Sequence, residues 1–213
     1  MNDARQSALL AILRRAPVVP VLTIDDPHRA VPLAQALVAG GLPALEITLR
    51  TDAALDAMEQ IAQHVPDAIV GAGTVLTPSQ VGEATSAGAQ FLVSPGCTTK
   101  LAEAAARGPT PLLPGASTAS EAMTLAEMGY HLMKFFPAEP AGGAAFLKAL
   151  GAPLPQIQFC PTGGIDAEKA KTYLALPNVI CVGGSWIAPA SAVKAGNWAT
   201  ITALSLAAAA LRA

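Results

Sequence analysis

Lys134 stands in the middle of an apolar run, His131-Leu132-Met133-Lys134-Phe135-Phe136-Pro137. Burying an ammonium among such neighbours costs several kcal/mol unless the group is paired or gives up its proton. A desolvated neutral amine attacks carbonyl carbon, which is the physical requirement for Schiff-base chemistry. A structural lysine paired with a carboxylate would satisfy the same burial, so this run alone leaves both readings open.

A second segment narrows the choice. In Leu45-Glu46-Ile47-Thr48-Leu49-Arg50 a strand period of two puts Glu46, Thr48 and Arg50 on one face and Leu45, Ile47 and Leu49 on the other. The same parity groups Leu132, Lys134 and Phe136 in the lysine run. If both runs are strands of one closed sheet with helices outside, the polar faces share the interior, because polar groups pressed against helices would be left unsatisfied. Glu46 could then shuttle protons beside the Lys134 amine, and Arg50 could hold a carboxylate. Together they suggest an imine-forming enzyme acting on a short phosphorylated 2-oxo acid. The phosphate is inferred from Pro161-Thr162-Gly163-Gly164-Ile165-Asp166 and Val182-Gly183-Gly184-Ser185-Trp186. Paired glycines let backbone N–H groups approach an anion closely, and barrel enzymes often hold phosphate in the loops after strands seven and eight. Tight turns also use glycine, but its recurrence at equivalent places in adjacent units favours an anion.

The elements that must position these groups alternate along the chain. Eight short apolar runs are expected as strands: Val18 to Ile24, Ala44 to Leu49, Ala68 to Gly71, Phe91 to Ser94, Pro111 to Pro114, Leu132 to Phe136, Ile157 to Pro161 and Asn178 to Val182. Ala- and Leu-rich stretches of helical period separate them, and a further helical run precedes the first. Strand-then-helix repetition forces parallel strands, and eight units close into a (β/α)8 TIM barrel of the α/β class. An open doubly wound sheet is less well supported, since no G-x-G-x-x-G follows the first strand. At 213 residues, 52% hydrophobic and 13% charged, the chain is read as a single domain spanning 1–213.

Other features exclude whole classes of function. A net charge of -2 without a basic cluster removes the basis for nucleic-acid binding. The Ala-rich stretch from Ile201 to Leu211 falls short of the ~20 residues needed to cross a bilayer, and the amino terminus lacks a signal-peptide layout, so a cytoplasmic protein is expected. Cys97, Cys160 and Cys181 are odd in number and widely separated, reading as reduced core thiols. His28, His64 and His131 are scattered over different units, so no metal is expected, and no cofactor.

The chain resembles the class I 2-keto-3-deoxy-6-phosphogluconate (KDPG) aldolases of the Entner-Doudoroff route, often bifunctional with 4-hydroxy-2-oxoglutarate aldolase activity. The resemblance rests on Leu45 to Thr51, Val70 to Leu76, Ser94-Pro95-Gly96, Leu113-Pro114-Gly115, Lys134 to Glu139, Phe159 to Ile165 and Val182 to Trp186, in register from about Val18 to Ala190. It implies Lys134 as the Schiff-base lysine, Glu46 as the general acid/base, and Arg50 and Thr74 as carboxylate ligands. Thr162 would contact a substrate hydroxyl, Pro95 and Phe136 would line the pyruvate pocket, and Gly163, Gly164, Gly184 and Ser185 would cradle the phosphate. A homotrimer is also implied. The related phosphogalactonate aldolases typically carry Glu-x-Pro-x-Asn where this chain has Glu46-x-Thr48-x-Arg50, and lack the Pro161-Thr162 pair. The gluconate-type substrate is therefore expected over the galactonate type. A phosphosugar isomerase on the same barrel is the remaining catalytic alternative, with Lys134 and Glu46 acting only as acid and base. In a non-catalytic phosphate binder the pair would be purely structural.

Overall fold

Short apolar strands leave their edges bare, and the helices between them return the chain to the same end each time, so every pairing among the described residues is parallel. A computed structural model describes residues 3–212. Helix α1 (Asp3–Leu13) leads into β1 (Val18–Leu22), a 3-10 turn (Pro27–Arg29) and α2 (Ala30–Ala39). Next come β2 (Ala44–Thr48), α3 (Ala54–His64), β3 (Ile69–Gly73), α4 (Pro78–Ser86), β4 (Phe91–Val93) and α5 (Thr99–Arg107). The chain continues through β5 (Leu112–Leu113), β6 (Gly115–Ala116), α6 (Ala119–Glu127), β7 (Leu132–Phe135) and α7 (Gly143–Leu150). It ends with β8 (Gln158–Pro161), α8 (Ala167–Leu174), β9 (Val182–Gly184), α9 (Ala190–Lys194) and α10 (Trp198–Ala209).

Two arcs, β5-β4-β3-β2-β1-β9 and β6-β7-β8, join into a ring. At one seam, β5 and β6 are halves of a single barrel strand parted by Pro114, which has no N–H to donate. Its carbonyl still accepts from the Lys134 N–H at 2.8 Å, which keeps β7 in register. At the other seam, bridges pair Phe159 with Val179 and Thr162 with Gly183. Nine segments thus make eight barrel strands, the expected (β/α)8 architecture preceded by a helix.

Several boundaries differ from the sequence reading: the first strand stops at Leu22, short of the expected Ile24, and the third, expected to end at Gly71, runs on to Gly73. The eighth strand was expected at Asn178 to Val182, but its ladder with β1 runs Val18↔Val182, Val19↔Gly183 and Pro20↔Gly184. Glycines read as loop belong to the strand because nothing larger fits there. A Cβ on Gly183 would lie 2.2 Å from Thr162 Oγ1, and one on Gly184 would lie 1.9 Å from Trp186 Cζ3. The fifth strand, expected to stop at Pro114, resumes beyond it. Helix α9, following Pro189, was not anticipated.

The core has two layers, divided by strand parity. Leu45, Ile47, Val70, Leu92, Met133, Phe135 and Phe159 pack outward with the helices. Val19, Ala44, Phe91, Val93, Leu113, Leu132, Cys160 and Cys181 fill the barrel interior. Room for the Phe91 ring comes from Gly71, where a Cβ would lie 2.2 Å from Phe91 Cζ. Leu9 and Leu13 of α1 join the inner cluster, at 0% and 1% exposure, and plug the amino-terminal end of the barrel. Helix α1 is tied down by Arg5 Nη1 donating to the Gly108 carbonyl at 2.6 Å. The barrel is therefore packed below and open only at the carboxyl ends of its strands, where helix caps such as the Thr77–Gln80 and Thr118–Glu121 boxes fix the loops. Among the described residues no helix is long and apolar enough to cross a membrane. Leu9→Ala is expected to cost ~2–5 kcal/mol, because the rigid barrel floor cannot collapse into the cavity. Urea denaturation of the variant beside the parent protein measures the loss.

Candidate active site

Both expected faces of β2 and β7 are realised. Glu46 and Thr48 are buried on the inner side of β2, with Leu45 and Ile47 outside. Lys134 points inward from β7 between Met133 and Phe135, which face the helices. The result is a contact of 3.0 Å between Lys134 Nζ and Glu46 Oε1, each side chain only 4% exposed. Taking both groups out of water is costly, and their attraction compensates only when the geometry is good. The Phe136 ring flanks the amine, its centroid 5.2 Å from Nζ, so one side of Lys134 is acidic and another is aromatic. A single proton can move along the Lys134–Glu46 contact, and when it sits on the carboxylate the amine is free to attack.

Space for this pair is made by glycine. A Cβ on Gly73 would lie 2.4 Å from Glu46 Oε1, so only glycine at that point of β3 lets the carboxylate reach across the barrel. Gly115 sits opposite Lys134 in the ladder, and a Cβ there would lie 2.2 Å from the Pro95 carbonyl oxygen. Thr48 is accounted for structurally, its hydroxyl donating to the Leu22 carbonyl at 2.9 Å and lying 3.1 Å from Thr23 Oγ1.

Above the pair lies a cavity of about 280 Å³. Of the residues singled out in the sequence, Arg50, Lys134, Phe136, Thr162, Gly163, Gly164, Gly184 and Ser185 line it. Arg50 lies just beyond β2, exposed, with Nε donating to Thr74 Oγ1 at 3.0 Å. That bond fixes the guanidinium plane while its terminal amino groups stay available to a carboxylate. Thr74 adopts a φ of 58°, a region that costs a β-branched residue energy and that clusters at functional sites. Thr162 Oγ1 is buried with no hydrogen-bond partner among the described residues. Such a group costs ~1–3 kcal/mol until something pairs with it.

Pro95 is not among the residues lining this cavity; it packs against Gly115 at the end of β4. Glu46 and Thr74 reach the cavity through Lys134 and Arg50. Sequence reasoning missed Val21 and Thr23, which also line it. The inward parity of Val19 in β1, continued two residues at a time, would have found both. A larger cavity of about 840 Å³ adjoins at Val21, Thr23 and Ser185 and widens the mouth. Its charged rim is partly self-satisfied, with Arg29 Nε 2.9 Å from Asp26 Oδ2 and Arg29 Nη1 donating to the Val193 carbonyl at 2.7 Å. The three histidines are exposed and apart from the site. Trp186 is half-buried against the helix-side core.

A barrel that buries an amine against a carboxylate, beneath an anchored guanidinium and a glycine-lined pocket, belongs among the carbonyl-processing (β/α)8 enzymes. More closely, the chain belongs to the KDPG and KHG aldolase family, whose sequence profile matches residues 9–204. It is 53% identical to the KHG/KDPG aldolase of Escherichia coli (strain K12) over 91% of either chain. Among solved structures it is similar to a KDPG aldolase from Legionella pneumophila with pyruvate captured as a covalent carbinolamine intermediate. That likeness has a TM-score of 0.92 at 48% identity, over 94% of this chain and 98% of the other. The KDPG aldolase of Zymomonas mobilis ZM4 with 3-phosphoglycerate matches with a TM-score of 0.92 at 45% identity, covering 98% and 97%.

Because Gly73 alone clears the path of Glu46, Gly73→Ala is expected to push the carboxylate off Lys134 and lower turnover about 10²-fold. Gly82→Ala is the control. It sits exposed in α4, where a Cβ meets nothing within 4 Å, and should stabilise the protein by ~0.5–1 kcal/mol with turnover unchanged. Steady-state kinetics and thermal melts of the two variants separate the effects.

Proposed function

We propose that this protein is a class I aldolase that cleaves 2-keto-3-deoxy-6-phosphogluconate to pyruvate and glyceraldehyde 3-phosphate, with 4-hydroxy-2-oxoglutarate as a second substrate. The observation that carries the reading is the 3.0 Å contact between the Lys134 amine and the Glu46 carboxylate inside a closed barrel. With its proton passed to Glu46, Lys134 attacks the C2 ketone to give a carbinolamine. Glu46 returns the proton to the departing oxygen, and loss of water leaves an iminium. That cation draws electrons from C3, so when Glu46, directly or through a water, removes the C4 hydroxyl proton, the C3–C4 bond breaks. The aldehyde departs, the enamine takes a proton at C3, and hydrolysis frees pyruvate and the amine. The iminium is the electron sink, so the scheme requires no metal.

Each remaining residue then has a task set by its chemistry. Arg50, aligned by Thr74, binds the C1 carboxylate; Phe136 bounds the pyruvyl end, with Pro95 set behind Gly115; and the unpaired Thr162 hydroxyl meets a substrate hydroxyl. Gly163, Gly164, Gly184 and Ser185 receive the phosphate. The Legionella protein's pyruvate carbinolamine and the Zymomonas protein's 3-phosphoglycerate are the ligand types that these two ends would take. The Glu46-x-Thr48-x-Arg50-Thr51 pattern and the Pro161-Thr162 pair favour the gluconate over the galactonate epimer. Action in the cytoplasm as one barrel unit spanning residues 1–213, assembled as a homotrimer, completes the reading. The 56% exposed Leu206 on α10 is apolar surface that such an assembly could cover.

Borohydride added with pyruvate should leave a permanent three-carbon adduct on Lys134, located by peptide mass spectrometry, and Lys134→Ala should lose both adduct and turnover. A substrate-protected but unmodified lysine would instead favour the isomerase. Turnover should also survive prolonged chelation, and sedimentation equilibrium reads the trimer.

A further inference from the structure

Behind the Gly163–Gly164 turn stands a cluster of side chains that the proposed reaction does not use. Glu139 Oε1 accepts a hydrogen bond from the Tyr173 hydroxyl at 2.6 Å, and Oε2 lies 2.9 Å from Lys169 Nζ. Lys169 Nζ also donates to the Gly164 carbonyl at 3.1 Å. Along the main chain, the Ala138 N–H donates to the Thr162 carbonyl at 2.8 Å and the Glu139 N–H to the Gly163 carbonyl at 3.1 Å. The Glu139 stem presses on the second glycine, where an added Cβ would lie 2.9 Å from Glu139 Cβ.

In a trans peptide the N–H points opposite to the C=O of the same plane. Because the carbonyls of Thr162, Gly163 and Gly164 are all gripped from the side of Ala138, Glu139 and Lys169, the next three N–H groups turn the other way. Those belong to Gly163, Gly164 and Ile165, the residues that line the catalytic cavity. Of the three, the Gly163 N–H turns toward the Gly183 carbonyl at the Thr162↔Gly183 bridge, and those of Gly164 and Ile165 donate to no backbone carbonyl among the described residues. The φ angles of 107° at Gly163 and 77° at Gly164 shape a concave run of donors, a form that suits a phosphate.

We propose that Glu139, Lys169 and Tyr173 are positioning residues for the phosphorylated end of the substrate, setting the anion cradle by holding its carbonyl side while touching no substrate themselves. The proposal rests on the reading of Gly163 and Gly164 as phosphate ligands. The ion pair is not itself a strong bond, since Lys169 is about half exposed. Its value is directional: Glu139 orders Lys169, and Lys169 holds the Gly164 carbonyl. Because the carboxylate balances the ammonium, the cluster aims N–H donors without adding net charge. Glu139 stays ionised at neutral pH, its carboxyl held below the ordinary 4.5 first by the Tyr173 hydroxyl and then by Lys169. The brace is therefore intact above that ordinary value and is released only as pH falls through the lowered one.

The test compares a phosphorylated and an unphosphorylated substrate. For Lys169→Met and Tyr173→Phe, KM for the phosphorylated substrate should rise about tenfold with kcat kept. Both constants for 4-hydroxy-2-oxoglutarate, which has no phosphate, should stay at parental values, and Lys169→Arg should recover the original KM. Equal losses on both substrates, or an unmoved KM in both variants, overturns the proposal. Calorimetric titration of the same proteins with inorganic phosphate reads the cradle without turnover. If the parent protein binds phosphate yet cleaves neither substrate, the aldolase reading fails and the brace is judged on binding alone. Weaker phosphate binding by the variants then supports it, and equal binding overturns it.

Discussion

An ammonium and a carboxylate 3.0 Å apart, both nearly out of water, are the constraint around which this barrel is arranged. Breaking such a pair by losing one partner leaves a buried charge and costs ~3–5 kcal/mol. The surrounding structure makes the arrangement tolerable by fixing its geometry. Lys134 is locked in a ladder on two sides, with Gly115 and with Cys160, and Glu46 is held between β1 and β3. Gly73 clears the carboxylate's path, and Phe136 covers the amine. Below them Leu9, Leu13, Phe91 and Leu132 fill the tube, so water and substrate have access from one end only.

The same pair shows why so much of the site was legible in the sequence. A strand has a period of two, and a barrel has a dry outside and a filled inside. Two polar residues at i and i+2 in β2, with Arg50 two positions further on at its open end, and one lysine among apolar residues in β7, can then share only the interior and its mouth. That inference needed parity and topology alone, and Glu46 meets Lys134 as it requires. Features that depend on three-dimensional clearance were not legible. Gly73 reads as turn chemistry, whereas its missing Cβ makes room for Glu46. Gly183 and Gly184 read as a loop, yet they form β9, because Thr162 and Trp186 occupy the space their side chains would need. Pro114 reads as a strand end, but a carbonyl acceptor is all that β7 requires of it. The left-handed Thr74 beside Arg50 leaves no periodic trace in the sequence at all.

Two kinds of support hold the two ends of the site. Lys134 and Glu46 are carried by strands whose backbone bonds and packed faces leave them little freedom, which suits the proton exchange proposed for them over a fixed distance. The glycine-rich end is carried by the last residue of β9, Gly184, and by the loops after β8 and β9, which have no ladder of their own beyond the strand ends. For the loop after β8 the support comes from behind: the Glu139 N–H donates to the Gly163 carbonyl, and its carboxylate orders the Lys169 that holds the Gly164 carbonyl. Glu139 follows Lys134 by only five positions in the chain, with Phe136 between them lining the cavity. The segment from Lys134 to Glu139 therefore links the proposed nucleophile to the proposed anion cradle in one short stretch. A displacement of that segment would alter the amine and the N–H donors together. The spacing between the reacting carbon and the far end of the ligand is thus set by a covalent connection, with Phe136 as the gauge between its two ends.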